Sequence, residues 1–195
     1  MNDTEVCITE YLPKRGVNPS LKDIEKDKQR SNLSFTAWAL VLTILVSVIL
    51  YLNTFVFMYT EVVGSSMYPT LKNGNVLVAN RLKEFKRGDI VIIDHKEGDK
   101  SQLVVKRVIA LEGDSVTISN GVVQVNGQPL KEDYAFGRTE SFEWTNGYTL
   151  QEGEVFYLGD NREVSLDSRL NGVCNVADVI GVVENWSVWL CQTFL

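Results

Sequence analysis

Leu40-Val41-Leu42-Thr43-Ile44-Leu45-Val46-Ser47-Val48-Ile49-Leu50 is the most apolar part of a longer run, Ser31 to Thr60, that contains no charged side chain. The run is 30 residues long, against the roughly 20 that a helix needs to cross a bilayer. A cleaved leader is disfavoured, because the apolar run is too long for one, about 30 mostly polar residues precede it and no A-x-A site follows it. The segment reads as a retained membrane anchor. Lys14, Arg15, Lys22, Lys26, Lys28 and Arg30 lie before it, and the first basic residue after it is Lys72. The positive-inside rule then predicts a cytoplasmic N-terminus and places everything after the span on the far side.

Charge divides at the same boundary. From Glu61 onward there are 13 basic and 19 acidic residues, which accounts for the net charge of −6. Six of each sign precede the span and cancel. An acidic outer part argues against nucleic acid as a partner. Cys7 falls on the cytoplasmic side, whereas Cys174 and Cys191 fall outside, where a bridge between them is permitted. The three cysteines have no metal-type spacing, so no metal is expected.

Residues 1–30 are polar, broken by Pro13 and Pro19, with Ser20 as an N-cap for a short charged helix from about Leu21 that runs into the span. Beyond the span the pattern changes. Phe55-Val56-Phe57-Met58-Tyr59-Thr60-Glu61-Val62-Val63 is aromatic and β-branched, so the helix gives way to a strand within it. Val76–Ala79, Asp89–Ile93, Leu103–Ile109, Val116–Ile118, Val122–Val125, Val155–Leu158 and Val179–Val183 follow as short strand candidates. Asn120-Gly121 is a hairpin signal, and Asn126-Gly127 turns the chain again. The expected fold class is mainly β: one N-terminal transmembrane helix, then an antiparallel β domain. The boundaries are 1–30 for the cytoplasmic segment, 31–58 for the transmembrane helix and 59–195 for the outer domain. The final ten residues, Trp186–Leu195, are too short to span and read as an edge strand, or as a tail whose Trp186 and Trp189 rest on the bilayer.

Ser66 lies just beyond the span, in Ser66-Met67-Tyr68-Pro69-Thr70. An isolated serine before a proline is ordinarily a turn residue, and a hydroxyl becomes a nucleophile only when a base takes its proton. The one histidine, His95, sits in the charged stretch Asp94–Lys100, which reads as a solvated loop. Lys106 is the other candidate base. In a strand it shares a face with Val104, Val108 and Ala110, where desolvation lowers an amine's pKa. Gly159-Asp160-Asn161-Arg162-Glu163-Val164-Ser165-Leu166-Asp167-Ser168-Arg169 crowds polar groups directly after an apolar strand. Charge pairs among Asp160, Arg162, Asp167 and Arg169 can make it a rigid turn, with Ser165 at hydrogen-bonding reach of the Lys106 amine.

Four stretches together resemble the bacterial type I signal peptidases. Ser66-Met67-Tyr68-Pro69-Thr70-Leu71 is similar to their S-M-x-P-T-L motif, and Arg87-Gly88-Asp89-Ile90-Val91 to their R-G-D-I/V-V strand. Lys106 to Asp114 resembles K-R-V-I-G-L-P-G-D, departing at Ala110 and Glu112. Gly159 to Arg169 resembles G-D-N-R-x-x-S-x-D-S-R. The resemblance implies a membrane-bound Ser/Lys serine endopeptidase with Ser66 as nucleophile and Lys106 as general base. It gives Ser165, Asp167 and Arg169 supporting roles and needs no cofactor. It implies cleavage of signal peptides from exported preproteins after small residues at −1 and −3, with Val62, Gly64, Met67, Leu71 and Val105 lining the pockets. The edge near Glu61–Gly64 would pair with the extended substrate. Where some relatives place a serine that helps bind the oxyanion, this chain has Gly64, so main-chain N–H groups or a water take that part. The single anchor, the small outer domain and Gly64 look like the members from Gram-positive bacteria. Self-cleaving repressors of the same fold lack a membrane span, and eukaryotic-type signal peptidases carry histidine where Lys106 stands. A membrane-tethered binding module that holds signal peptides without cutting them is the reading from another class, and the joint presence of Ser66, Lys106 and Ser165 argues against it.

Overall fold

The computed structural model describes residues 21–98, 100–140 and 143–194. Cys7, Pro13, Pro19 and the Ser20 cap lie outside the described residues. The chain divides into two compact units, Met1–Val48 and Ile49–Leu195.

The described part of the first unit is helix, and α1 as a whole runs Leu21–Tyr51. The helix Lys28–Val56, counted with the turn that follows α1, is long and apolar enough to cross a membrane. Its two mid-run hydroxyls bond within the helix, Thr43 Oγ1 to Ala39 O and Ser47 Oγ to Thr43 O, both at 2.8 Å. Neither group therefore needs a partner from water, as a lipid environment demands.

In the second unit a π-helical turn, Leu52–Val56, ends the helix, and the chain passes directly into a strand at Phe57. Asn53 secures this change by donating to Ile49 O at 2.9 Å and accepting from the Tyr59 hydroxyl at 2.9 Å. The strands are β1 Phe57–Glu61, β2 Val76–Asn80, β3 Ile90–Glu97, β4 Lys100–Ala110, β5 Ser115–Ser119, β6 Val122–Val125, β7 Gln128–Pro129, β8 Tyr148–Thr149, β9 Glu154–Leu158, β10 Cys174–Asn175 and β11 Val179–Val183. A four-residue helix, α2 (Ser168–Asn171), follows β9, and α3 (Asn185–Phe194) comes last. The named strands pair antiparallel in two sheets, a larger one ordered β1-β2-β11-β3-β4-β9-β10 and a smaller one ordered β7-β6-β5-β8.

The burial pattern follows from the residues. In β5, Val116 and Ile118 are buried while Ser115, Thr117 and Ser119 are partly exposed, the alternation of a strand with one apolar face. Val155, Phe156, Tyr157 and Leu158 of β9 are all buried because both faces of that strand are covered. Phe156 and Leu158 pack with Val116, Ile118, Val123 and Trp144 of the smaller sheet's layer. Val155 and Tyr157 pack with Val91, Ile93 and Val108 on the other side. A register shift between Val108 and Ala110, where β4 meets β9, buries Val108, Ile109 and Ala110 in succession.

Two expectations change. The C-terminal segment is helix α3, not an edge strand. Ser187, Val188 and Cys191 point inward at helical spacing, while Trp186, Trp189 and Leu190 are exposed. A helix closes its own backbone hydrogen bonds and needs no neighbouring strand, and the run of apolar residues concealed this 3.6-residue period. His95 is not in a loop, for β3 carries on through it and pairs it with Gln102 of β4. Cys174 and Cys191 are both free thiols.

Candidate active site

The Ser66 segment lies between β1 and β2, packed into the core by its neighbours. Met67 and Leu71 are buried with Met58, Val62 and Leu77, and Leu71 N–H donates to Met67 O at 2.8 Å. Ser66 itself stays half-buried. The polar loop after β9 grips it from the other side: Asn161 N–H donates to Ser66 O at 2.9 Å, and Asn161 Nδ2 to Ser65 O at 3.1 Å.

Lys106 Nζ donates to Ser66 Oγ at 2.9 Å. The separation of 40 positions along the chain is closed by β2, β3 and the β3–β4 hairpin. Lys106 is only 4% exposed. Burial pushes its amine down from 10.5 to about 8; Asp167 and Asp160 pull it back up, and Arg169 pushes it further down. An amine so placed gives up its proton far more readily than an exposed lysine and, once neutral, can accept a proton from the hydroxyl it touches.

The charge pairs form, but not all as the sequence suggests. Asp167 does pair with Arg169, Nε to Oδ1 at 2.8 Å and Nη2 to Oδ2 at 3.0 Å. The same carboxylate accepts from Gly159 N–H at 3.0 Å, and Arg169 Nη2 donates to Ser165 O at 3.3 Å. Asp160 pairs instead with Arg107, in a two-point contact at 2.8 and 2.6 Å, and the Arg107 guanidinium lies 3.9 Å over the Tyr134 ring. Arg162 pairs with Glu132 and also donates to Thr139 Oγ1 and Gly159 O. Two buried arginines, Arg162 and Arg169, and the partly buried Arg107 are thus tied down, which makes the loop rigid.

Ser165 is buried, and its Oγ has no hydrogen-bond partner in the structure, so the bond expected between it and the Lys106 amine is not made here. Gly159 explains the close packing. A Cβ there would come within 2.5 Å of Ser66 O and of Ser165 Cβ, so only glycine lets the Ser165 and Ser66 segments approach.

A groove of about 640 Å³ runs away from Ser66 and Lys106. Val62, Gly64, Met67 and Val105 line it together with Ile92, Val104 and Tyr157. Leu71 does not line it; it is wholly buried in the core behind Met67. On one wall, Val62 exchanges backbone bonds with Gly74 and Asn75 at 2.8 Å, which turns the N–H and C=O groups of Glu61 and Val63 toward the open edge. On the other wall, β9 pairs with β4 only from Arg107 onward, so Gln102–Lys106 also presents a free edge. Gly64 has φ +93°, with nothing within 4 Å of a Cβ built there; glycine serves the backbone conformation at this position, not the space.

Asn161, Gly159, Arg107 and Glu132 are contributors to which the sequence assigned no role. Asn161 and Gly159 lie within the polar loop, whose density of turn residues was the available signal. Glu132 gave none, because only folding brings it to Arg162.

A buried lysine thus rests on a serine hydroxyl, beside an open-edged groove in an antiparallel β fold. The family profile described as "Signal peptidase, peptidase S26" matches residues 35–189. Signal peptidase I of Bacillus amyloliquefaciens is 35% identical over 167 residues, covering 79% of this chain and 84% of the relative. Signal peptidase I T of Bacillus subtilis (strain 168) is 34% identical over 167 residues, with the same coverage. The crystal structure of a signal peptidase I from Enterococcus faecalis V583 is 33% identical and has a TM-score of 0.44, covering 52% of this chain and 98% of that one. The chain belongs to the S26 signal peptidase family, and its activity is the hydrolytic removal of signal peptides.

Proposed function

We propose that this protein cuts signal peptides from preproteins with Ser66 as nucleophile and Lys106 as general base, at the outer face of the membrane that α1 spans. The observation that carries the reading is the 2.9 Å contact between Lys106 Nζ and Ser66 Oγ, made by a buried lysine whose pKa is pushed to about 8.

Neutral Lys106 takes the Ser66 proton as Oγ adds to the scissile carbonyl. The oxyanion is met by main-chain N–H groups, first that of Ser66, which no hydrogen bond among the described residues occupies. Protonated Lys106 gives the proton to the leaving amine, and an ester on Ser66 remains. Water, deprotonated by Lys106, then attacks the ester, and its proton passes through the lysine back to Ser66 Oγ. Asp167 and Arg169 hold the loop that shapes the site. Ser165 Oγ, buried and unpartnered, is the hydroxyl free to steady the amine during these transfers.

The substrate lies extended between the edge at Glu61–Gly64 and the edge of β4, and main-chain bonds bind it. Its −1 and −3 side chains point into the shallow apolar wall of Val62, Gly64, Met67 and Val105, which admits small residues only. Leu71 acts from behind Met67. The lysines and arginines before the span keep the N-terminus in the cytoplasm, and lipid and preprotein are the partners.

Purified wild type and Ser66→Ala, each offered a preprotein in detergent micelles, test the reading by gel mobility and N-terminal sequencing. Wild type releases the mature protein and the variant does not; equal cleavage by both would remove Ser66 from the chemistry.

A further inference from the structure

The turn that carries Ser66 is held from outside. Gly64 N–H donates to Asn73 Oδ1 at 2.8 Å. Asn161 then takes two carbonyls in succession, with its Nδ2 on Ser65 O at 3.1 Å and its main-chain N–H on Ser66 O at 2.9 Å. Asn161 is itself fixed. It is buried, its Oδ1 accepts from Glu163 N–H at 3.3 Å, and its carbonyl accepts from Ser165 N–H at 3.2 Å. Because one end of the side-chain amide faces a donor, the other end is the NH2, and that end meets Ser65 O.

Ser65 O and Ser66 N–H belong to one peptide group. Such a group is planar and trans, so its C=O and N–H point in opposite directions and turn together. Holding Ser65 O therefore aims Ser66 N–H, which no hydrogen bond among the described residues occupies. Tyr68 N–H also donates to Ser65 O, at 3.1 Å, but it belongs to the same turn and moves with it. Asn161 comes from the loop after β9 and ties the peptide to a separate, rigid part of the domain. Gly64 sharpens the need. At φ +93° it offers no side-chain donor and leaves the backbone ahead of Ser65 free to rotate. A donor on the carbonyl also polarises the amide and strengthens its N–H as a donor.

From this we infer that Asn161 is a positioning residue, whose side-chain amide holds the Ser65–Ser66 peptide so that Ser66 N–H points at the oxyanion. This rests on the proposed roles of Ser66 as nucleophile and of its N–H as an oxyanion donor. The contact lies outside the edges that bind the extended substrate, so it acts when charge develops on the carbonyl oxygen and not when the peptide docks.

The test uses the full-length enzyme in micelles, a cleavable peptide and two ligands that end at −1. One is a peptide aldehyde, which Ser66 attacks to give a tetrahedral adduct; the other is the matching peptide alcohol, which forms none. Asn161→Asp keeps size and shape but sets an acceptor against Ser65 O, and Asn161→Ala removes the contact. Loss of an oxyanion donor costs at least about 100-fold, so kcat should fall by about that factor in Asn161→Asp and by about tenfold in Asn161→Ala, where Tyr68 N–H still holds the carbonyl. KM should stay within about twofold of wild type, the mark of an interaction made only in the transition state. Aldehyde affinity should fall with kcat while alcohol affinity is unchanged. A kcat equal to wild type in both variants would overturn the inference, and so would equal losses of aldehyde and alcohol affinity, which mark a role in folding alone. If Asn161→Asp does not fold, Asn161→Ala carries the same comparison. The Ser66 chemistry fails separately, if Ser66→Ala cuts the peptide or binds the aldehyde as tightly as wild type.

Discussion

Replacing Lys106 with methionine should abolish cleavage and at the same time make the protein more stable at pH 7. Burial lowers the Lys106 pKa from 10.5 to about 8. One pKa unit is about 1.4 kcal/mol, so the shift amounts to roughly 3 kcal/mol in favour of the neutral amine. Below pH 8 the amine is charged in both folded and unfolded chains, and the folded state bears the full cost of burying it. Between about 8 and 10.5 the unfolded chain holds more protons than the folded one, so stability climbs with pH; above 10.5 the cost is gone. Methionine has a similar length and no charge to desolvate. Its gain at pH 7 is that roughly 3 kcal/mol less the hydrogen bond to Ser66, about 1 kcal/mol. A net gain of about 2 kcal/mol raises Tm by roughly 5–10 °C. Tryptophan fluorescence during thermal and urea denaturation in micelles, at pH 7 and pH 10, measures it. The variant should lead wild type at pH 7, and the gap should close toward pH 10. A variant less stable than wild type at pH 7, or a gap that ignores pH, would mean that Asp167 keeps the amine charged, and the lysine would not serve as a base.

The same pKa sets the rate profile: about one lysine in eleven is neutral at pH 7 and most are at pH 9, so kcat/KM should rise close to tenfold between them, whereas a flat profile from pH 5 to 9 would count against Lys106. Gly159→Ala places a methyl within 2.5 Å of Ser66 O, and because a displacement of about 1 Å can cost roughly 100-fold, cleavage should fall by about that factor while circular dichroism stays native; activity within threefold of wild type would show that the approach is not tight. Arg162→Met leaves Glu132 and Thr139 without their buried partner, so urea denaturation should show a loss of about 3–5 kcal/mol, and a loss under 1 kcal/mol would mean that water replaces the guanidinium.

Much of this protein is set by local pattern. A 30-residue uncharged run is long enough for a helix in lipid, and its flanking charges set the expected orientation. The short β-branched strands and the Asn-Gly turns impose antiparallel β structure, and each strand candidate before the C-terminal segment lies in or overlaps a strand. Lys106 was legible as a buried lysine because strand alternation put it on an apolar face, and Ser66 stood out by its motif. The polar loop was legible as a rigid turn, since charged groups cannot be buried there unless paired.

What the tertiary structure decided are the matters that depend on groups far apart in sequence. Which arginine takes which carboxylate turns on where β4, the Lys131–Thr139 segment and the β9 loop converge, so Asp160 went to Arg107 and Arg162 to Glu132. The 2.9 Å contact between Lys106 and Ser66, and the need for Gly159 beside it, exist only once β9 and its loop close over the Ser66 segment. The C-terminus chose helix over strand because the core offered Ser187 and Cys191 a surface at helical spacing and no further strand edge was required. His95 moved from a supposed loop into β3, because the pairing of Ile90–Glu97 with Lys100–Arg107 continues to the tip of the hairpin. Short-range pattern specifies which groups must be buried or paired; only the packed chain settles with which partner, because distance in space is not a local property of the sequence.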